Sequence, residues 1–556
     1  MYKLFLCLRY LRCRVIAYFA ILAVALCVAM MLIVVSVMNG FLAKVERAAK
    51  GLFGDIVLES RSTEGMGLYD EFIAQVHKNV PEVEAASPFI LVPCYLRIPG
   101  GNWSQIVQAA GIRLPERAAV TGFAKGLFVQ AGGASPTFDP PIAQAIDCLD
   151  GQIKFIEAQR ASLPGSQGDR TAALELETRL DNALLAHLGA KAILRRAKDR
   201  QAAIAESYAK LRAAYAESHG EPTDKTEAAE KQLEELTLAA GWLDPSRHII
   251  MGLGIPGLCF RTDEGKTIRF ICPGSKVSLS LIPLGSGLGA APSLNSKTFT
   301  IVDDCQTDVS SIDSGIVYVP FETLQQLNNM AASYSADKPG ELAIPARCNQ
   351  IHIKVRSERT DEQYLETVRA KVERQARDFH DAHPEAMMGD VAVQTWRQRQ
   401  AVIVGPIEKQ RTLTVIMFGI ISLVAVVLIF VIFYMIVFQK TKDIGVLKAV
   451  GAGSFGVAQI FLAYGAAIGL VGAMVGTVGG YYFVRYINPI QDAVDRWFGF
   501  RVWDREFFMF EKIPNEVEVA PALLIVAGAI VAGLLGALIP AWRAARMQPV
   551  EALRYE

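Results

Sequence analysis

TLTVIMFGIISLVAVVLIFVIFYMIVFQ, residues Thr412–Gln439, contains no charged side chain. A helix needs roughly 20 apolar residues to cross about 30 Å of hydrocarbon at 1.5 Å per residue, and this run is longer. Three further uncharged runs occur, at Val15–Phe41, Ala449–Val484 and Val519–Trp542. One such stretch is compatible with a buried helix of a soluble protein. Four predict an α-helical integral membrane protein with four transmembrane helices.

The remaining composition fits this reading. The 556 residues carry 56 basic and 56 acidic side chains, so no global field favours nucleic acid. Hydrophobic residues make up 52% of the chain, which leans towards membrane. Lys3, Arg9, Arg12 and Arg14 precede the first run, as in a signal peptide. The run is too long for a signal-peptide core and no small-x-small cleavage site follows Val37, so a retained anchor is expected. Basic residues orient the spans. Lys3, Arg9, Arg12 and Arg14, then Lys440, Lys442 and Lys448, then Arg543, Arg546 and Arg554 share one side if both termini are cytoplasmic. Residues 42–411 and 485–518 then lie outside the cytoplasm, in the setting of a cell inner membrane.

The chain divides accordingly. Residues 1–14 place Leu4, Leu8, Leu11 and Val15 on one helical face, either an amphipathic interfacial helix or a plain basic flank. Span one covers 15–41, span two 412–438, span three 454–484 and span four 519–542. A cytoplasmic segment (439–453), an outer loop (485–518) and a tail (543–556) connect or follow them. The external part divides into an α+β stretch (42–139), a helical insertion (140–241) and a second stretch (242–411). Strand-like runs occur at Asp55–Glu59, Ala86–Ile98, Gln105–Ile112 and Gln350–Val355, with helical patterns at Tyr69–Lys78 and Glu362–Arg377. The order of elements on either side of the insertion suggests one α+β unit split by it. Within the insertion, Ala197, Ile204, Tyr208, Leu211 and Tyr215 have coiled-coil-like spacing.

Candidate chemistry is sparse. Phe260–Thr267 reads FRTDEGKT and nearly matches a phosphate-binding loop, but Phe260 stands where the first glycine must let backbone amides wrap the phosphates. A turn is expected there. Gly285, Gly287 and Gly289 suggest a flexible loop. The seven histidines show no metal-ligand spacing, and the nine cysteines form no C-x-x-C pair. External thiols are compatible with disulfides or with burial as free groups. No charged residue lies at hydrocarbon depth, which argues against an ion-driven pathway.

Two features of the spans point elsewhere. Gly465, Gly469, Gly472, Gly476 and Gly480 form overlapping G-x-x-x-G units, predicting close approach of another helix, in this chain or another subunit. The link QKTKDIGVLKAVGA, Gln439–Ala452, is short, charged and followed directly by a span. It is suited either to docking a cytosolic partner or to setting topology alone.

That link resembles the E-x-T-x-E-I-G-x-x-[KR]-A-x-G-A motif of FtsX-like/MacB-type permeases of ABC transporters. Gln439 and Asp443 stand in for its two acids. The tail IPAWRAARMQPVEALRYE, Ile539–Glu556, and SVMNGF, Ser36–Phe41, are similar to the lipoprotein-releasing LolC/LolE branch. The resemblance covers about 1–130 and 248–556 and leaves the insertion without a counterpart. It implies a non-catalytic subunit, paired with a second permease subunit as homo- or heterodimer, on a cytosolic ATPase dimer that binds ATP and Mg²⁺. Lys440, Asp443, Ile444, Gly445, Leu447, Lys448 and Gly451 would couple to that ATPase. Met30, Met31, Val34 and Met38 would line a cavity for acyl chains between spans one and two. The implied activity is release of lipoproteins to a carrier. The insertion also leaves open an FtsX-like relay to a cell-wall hydrolase or another partner, and a MacB-like efflux component.

Overall fold

The computed structural model describes residues 15–101, 103–131, 133, 135–162, 170–217, 226, 230, 231, 233, 244–261, 267–283, 294–307, 310–334, 342–356, 362–386, 390–498, 513, 515 and 517–548. The amphipathic pattern of 1–14, the glycine run at 285–289 and the end of the tail fall outside them. The chain forms two compact units: residues to Glu46 together with those from Ala401 on, and Arg47–Gln400.

Helix α1, Val15–Phe53, continues past the expected end of span one at Phe41. Hydropathy marks where hydrocarbon ends, whereas residues 42–53 are rich in Ala, Lys, Glu and Arg, which favour helix in water. Gly54, at φ +75°, ends it by donating its N–H to the Lys50 carbonyl at 2.9 Å.

The second unit is built on one sheet. Its strands are β1 Ile56–Ser60, β2 Val83–Arg97, β3 Ser104–Ile112, β4 His248–Gly252, β5 Lys276–Leu281, β6 Asn295–Cys305, β7 Ile316–Pro320, β8 Gln350–Val355 and β9 Val391–Thr395. Their order is β9-β1-β8-β2-β3-β7-β4-β6-β5. Pairs β3–β7 and β4–β6 are parallel and the others antiparallel. The long β2 serves two neighbours on one side: residues 83–89 pair with β8 and 95–97 with β5. The second pairing closes β2-β3-β7-β4-β6-β5 into a barrel. Strands from both sides of the insertion therefore share one sheet, as the order of elements suggested.

Helices α2 Tyr69–Asn79, α3 Leu114–Val120, α4 Ile142–Ala161, α5 Arg170–Glu217, α6 Phe321–Leu327 and α7 Glu362–Ala382 complete this unit. Helix α7 buries Leu365, Val368, Val372, Ala376 and Phe379 at three- and four-residue spacing, one apolar face with Phe379 edge-on to Phe72. Strands flank the near phosphate loop, Cys259–Arg261 pairing with Thr267–Arg269, and the turn expected at 262–266 lies outside the described residues. The seven described cysteines are free thiols. Burial pushes Cys94 and Cys272 up to about 12.

The insertion is an antiparallel hairpin of α4 and α5, fastened by Arg160–Asp181 at 3.0 Å and by Lys191–Asp150. Its buried seam on α5 is Leu180, Ala183, His187, Ala190 and Leu194, upstream of the expected one. Tyr208 of the expected seam is 57% exposed, so the structure does not show the coiled coil read there. Ile142, Ala145, Leu149, Ala190 and Leu194 share a hydrophobic core with Phe123, Val129, Cys272 and Val302 of the sheet domain. The hairpin base is thus part of the domain core.

Two buried polar clusters fix this core. Asp303 Oδ1 accepts the N–H groups of Phe128, Val129 and Asp304, and Oδ2 those of Gln130 backbone and side chain, at 2.7–3.2 Å. Burial raises this carboxyl to about 6 while the N–H donors hold it down. Beneath the end of α1, the fully buried Arg117 donates to the Leu52 carbonyl and, at 2.6 Å, to His352 Nδ1. The guanidinium lies 4.8 Å from the Phe89 ring centre, and the His352 ring stacks on the same phenylalanine. His352 Nε2 then donates to Gln350 Oε1 at 3.0 Å. Burial, then the Arg117 charge, lower the His352 pKa well below its ordinary value.

The first unit contains α8 Ala401–Gln439, α9 Thr441–Ala449, α10 Ser454–Arg485, α11 Ile487–Phe498 and α12 Val519–Arg546. Among the described residues, α1, α8, α10 and α12 are the four helices long and apolar enough to cross a membrane.

Because His352 is held neutral when folded but takes a proton when unfolded below about pH 6.5, acid lowers stability through it. Between pH 7 and 5.5 this contribution is about 1 kcal/mol. Unfolding of the detergent-solubilised chain is expected to depend less on pH, by that amount, in His352→Asn than in the unsubstituted protein. Equal slopes would show that His352 titrates normally in the fold.

Candidate functional site

The glycine strip on α10 contacts two helices within its own chain. A Cβ on Gly465 would lie 2.8 Å from the Gly533 carbonyl oxygen, and one on Gly469 2.9 Å from that of Ala529, both on α12. Gly472, Gly476 and Gly480 instead meet Val24, Ala25, Val28, Ala29 and Leu32 of α1. A Cβ at any of the five would overlap the neighbouring helix or crowd it. Helix α12 repeats the device on its other side, where Gly536 meets Ile429 and the Val426 carbonyl of α8. The packing order is therefore α1–α10–α12–α8. Gly533 and Gly536 were not singled out from the sequence, although their spacing in AGLLGAL carried the signal.

Between the two outer helices lies a cavity of about 250 Å³, just below the usual ligand-pocket range of about 300–1,000 Å³. Val24, Cys27, Val28 and Met31 of α1 face it, with Ser422 and Ile429 of α8 and Leu524, Ile525, Gly528, Ala529 and Ala532 of α12. It is lined by spans one and two, as the resemblance implies, but α12 supplies much of the wall. Of the four expected lining residues Met31 is present. Met30, Val34 and Met38 are not among the lining side chains, and Met30 is 54% exposed. Met30 lies on a neighbouring, exposed part of the helix, whereas Val34 and Met38 lie about one and two turns beyond Met31, past the level of the lining residues. Apart from the Cys27 thiol and the Ser422 hydroxyl the lining is apolar, so the cavity suits an apolar chain.

At the other end of α8 lies the link. Lys440 pairs with Asp443 and stands just before α9. The Thr441 hydroxyl donates to the Phe438 carbonyl at 2.8 Å, continuing α8 almost directly into α9. Ile444 is buried in the core that holds Phe433, Tyr464, Ala541 and Ala544, and Gly445 is buried beside it. Leu447 is half-buried. Lys442, Asp443, Val446 and Val450 are exposed, Val450 by 85%, and Phe455 in the first turn of α10 by 76%. Helix α9 therefore has an anchored face and a free face.

Gly451 ends α9. At φ +103° it adopts the left-handed conformation, donating to Lys448 at 3.0 Å while Ala452 donates to Leu447 at 3.0 Å. This is a Schellman cap, satisfying carbonyls that the helix end leaves open. It explains why α10 starts at Ser454, as expected for span three, although the uncharged run begins at Ala449. At the opposite end of the bundle, Asn39 Nδ2 donates to Glu518 Oε2 at 3.2 Å, joining the SVMNGF run to the start of α12.

Substituting Gly476 by leucine forces α1 and α10 apart and is expected to cost about 1–3 kcal/mol. Gly479→Leu, with nothing within 4 Å of the new Cβ, should leave the thermal midpoint of the solubilised chain unchanged. Equal effects would place the helix interface elsewhere.

Comparison with known proteins agrees with this geometry. Residues 415–549 match the FtsX-like permease C-terminal family. Among curated proteins, the lipoprotein-releasing system transmembrane protein LolC of Xylella fastidiosa is 27% identical over 168 residues, 30% of this chain and 41% of that protein. LolC of Neisseria meningitidis is 24% identical over 308 residues, 55% of this chain and 65% of that one. LolE of Haemophilus influenzae is 26% identical over 119 residues, 21% and 29%. Each match spans less than two thirds of the relative's length. The resemblance read from the link and the tail is thereby shown: the chain carries an FtsX-like permease C-terminal domain and is similar to the LolC and LolE transmembrane proteins.

Proposed function

We propose that this chain is the membrane subunit of an ABC-type system that releases lipoproteins from the inner membrane to a soluble carrier. The observation that supports this best is the two-faced α9. Its Ile444 side is seated in the membrane-unit core, and its other side exposes Lys442, Asp443, Val446 and Val450 beside Phe455. An exposed apolar cluster with a polar rim suits a protein partner. In this reading the partner is a cytosolic ATPase dimer, which binds ATP and Mg²⁺ and performs the hydrolysis. Both termini are cytoplasmic, a second permease subunit completes the membrane part, and this chain is not itself an enzyme. The apolar cavity between α1, α8 and α12 holds acyl chains, and movement of the external domain delivers the cargo.

One observation favours a second reading, in which ATPase state is relayed to an external enzyme. Helix α5 continues well past its buried seam, and Leu174, Leu185 and Tyr208 are exposed along it.

Reconstitution decides between them. Liposomes containing this chain, its cognate ATPase and a lipoprotein should show ATP-dependent release to a soluble acceptor. Absence of release, together with binding of a wall hydrolase by the chain and loss of that binding when α4–α5 is deleted, would replace the first reading with the second. Within the first reading, Val450→Asp with Phe455→Asp should weaken ATPase binding about tenfold or more, leaving membrane insertion intact. Unaltered binding would mean that the free face of α9 is not the docking surface.

A further inference from the structure

Lys448 is the last charged residue of α9, and in a segment proposed to dock an ATPase its ammonium would be expected to face the partner. It does not. Its Nζ donates to the carbonyl of Ala545 at 2.6 Å and to that of Met547 at 2.8 Å, with the Ser454 hydroxyl at 3.4 Å. An ammonium has three protons, and these acceptors occupy all three. Ala545 lies in the last turn of α12 and Met547 immediately follows that helix. Such carbonyls have no intrahelical N–H partner, and the helix dipole places about half a negative charge on them. The lysine therefore caps a helix remote in sequence.

The cap is part of a larger joint. Helix α9 is continuous with α8 through the Thr441 hydroxyl and with α10 through the Gly451 turn. Ile444 shares a hydrophobic cluster with Ala541 and Ala544 of α12. Arg543 of α12 lies 5.1 Å from the Tyr434 ring centre near the end of α8. The ends of α8, α9 and α12 and the start of α10 are thereby held together by a turn, a cap, an apolar plug and a cation–π contact.

We propose that Lys448 is a positioning residue that makes α12 move with α9, so that displacement at the link reaches three membrane helices instead of the two it joins covalently. This rests on the proposed ATPase coupling. It assigns to Lys448 an inward task, separate from the docking task of Val446, Val450 and Phe455. The ammonium is committed to α12, so removing it spares the docking surface.

The test uses the full chain with its ATPase, comparing the unsubstituted protein with Lys448→Met, which keeps the apolar stem, and Lys448→Arg, which keeps the donors. In Lys448→Met, affinity for the ATPase and maximal hydrolysis should be unchanged while cargo released per ATP falls at least fivefold, within the usual range of coupling. Lys448→Arg should recover most of the loss. Spin labels at Ala449 and Met547, introduced in a cysteine-free background, should keep one narrow distance through the ATP cycle. That distance should broaden in Lys448→Met. Weaker ATPase binding with unchanged release per ATP would make Lys448 a docking residue and overturn the proposal. So would an Ala449–Met547 distance that changes on ATP binding in the otherwise unsubstituted chain. If the unsubstituted chain binds no ATPase, the coupling reading falls, whereas the label distances in the two forms still decide whether Lys448 ties α9 to α12.

Discussion

Within a bilayer, helices gain nothing by hiding apolar side chains from one another, because lipid is equally apolar. What remains is contact itself, dispersion between closely approaching backbones. The absence of side chains along one strip of α10 makes that approach possible. Gly465 and Gly469 admit α12, Gly472, Gly476 and Gly480 admit α1, and Gly536 of α12 admits α8. The other features of the membrane unit follow from this order. The two outermost helices are separated by the α10–α12 pair, and the opening between them over α12 becomes the apolar cavity. The same order brings the Arg546 end of α12 beside α9, where Lys448 reaches it.

The sheet domain is held by a different economy of forces. Its core holds buried polar groups in hydrogen-bonded clusters, the condition under which burial is tolerated. Asp303 anchors the segment Phe128–Gln130, which leads into the insertion. Among the described residues a carbonyl, an imidazole and an aromatic face surround the Arg117 guanidinium and disperse its charge. Removing one member of such a set leaves the others unsatisfied, so these clusters specify one arrangement of α1's end, α3 and β8. The hairpin insertion is continuous with this core through Ala190 and Leu194, so its base is constrained however its far end is used.

The sequence disclosed those parts that are local or set by hydrocarbon. Four uncharged runs marked the spans, and alternation marked β3, β8 and parts of β2 within a few residues. Barrel closure was hidden, because it depends on Tyr95–Arg97 meeting Ser278–Ser280 across a large sequence separation. The hairpin seam was misplaced for a compositional reason. Tyr208 and Leu211 look like core residues, whereas the true seam uses two alanines and His187, which hydropathy discounts. Of the residues read as cavity lining, Met31 lines the cavity, and the other lining residues of α1 lie on the turns before it, a level along the helix that the sequence does not mark. The glycine strip could be read as a contact surface, but its division between α1 and α12 required the fold.

Lys448 shows why a motif alone can mislead about mechanism. A basic residue at the end of a short exposed link reads as a charge for orientation or for a partner. Its surroundings give it another use, since helix α9 ends within reach of uncapped carbonyls and a lysine stem is long enough to reach them. Topology and docking would be served by any positive charge nearby, whereas a cap needs hydrogen-bond donors at one position with defined geometry. Force applied to α9 meets a joint in which backbone continuity, a buried isoleucine and an ammonium act in parallel. A segment with only the covalent links would be free to pivot between α8 and α10. The contact with α12 removes that freedom, and the helix so recruited is the one that forms much of the cavity wall.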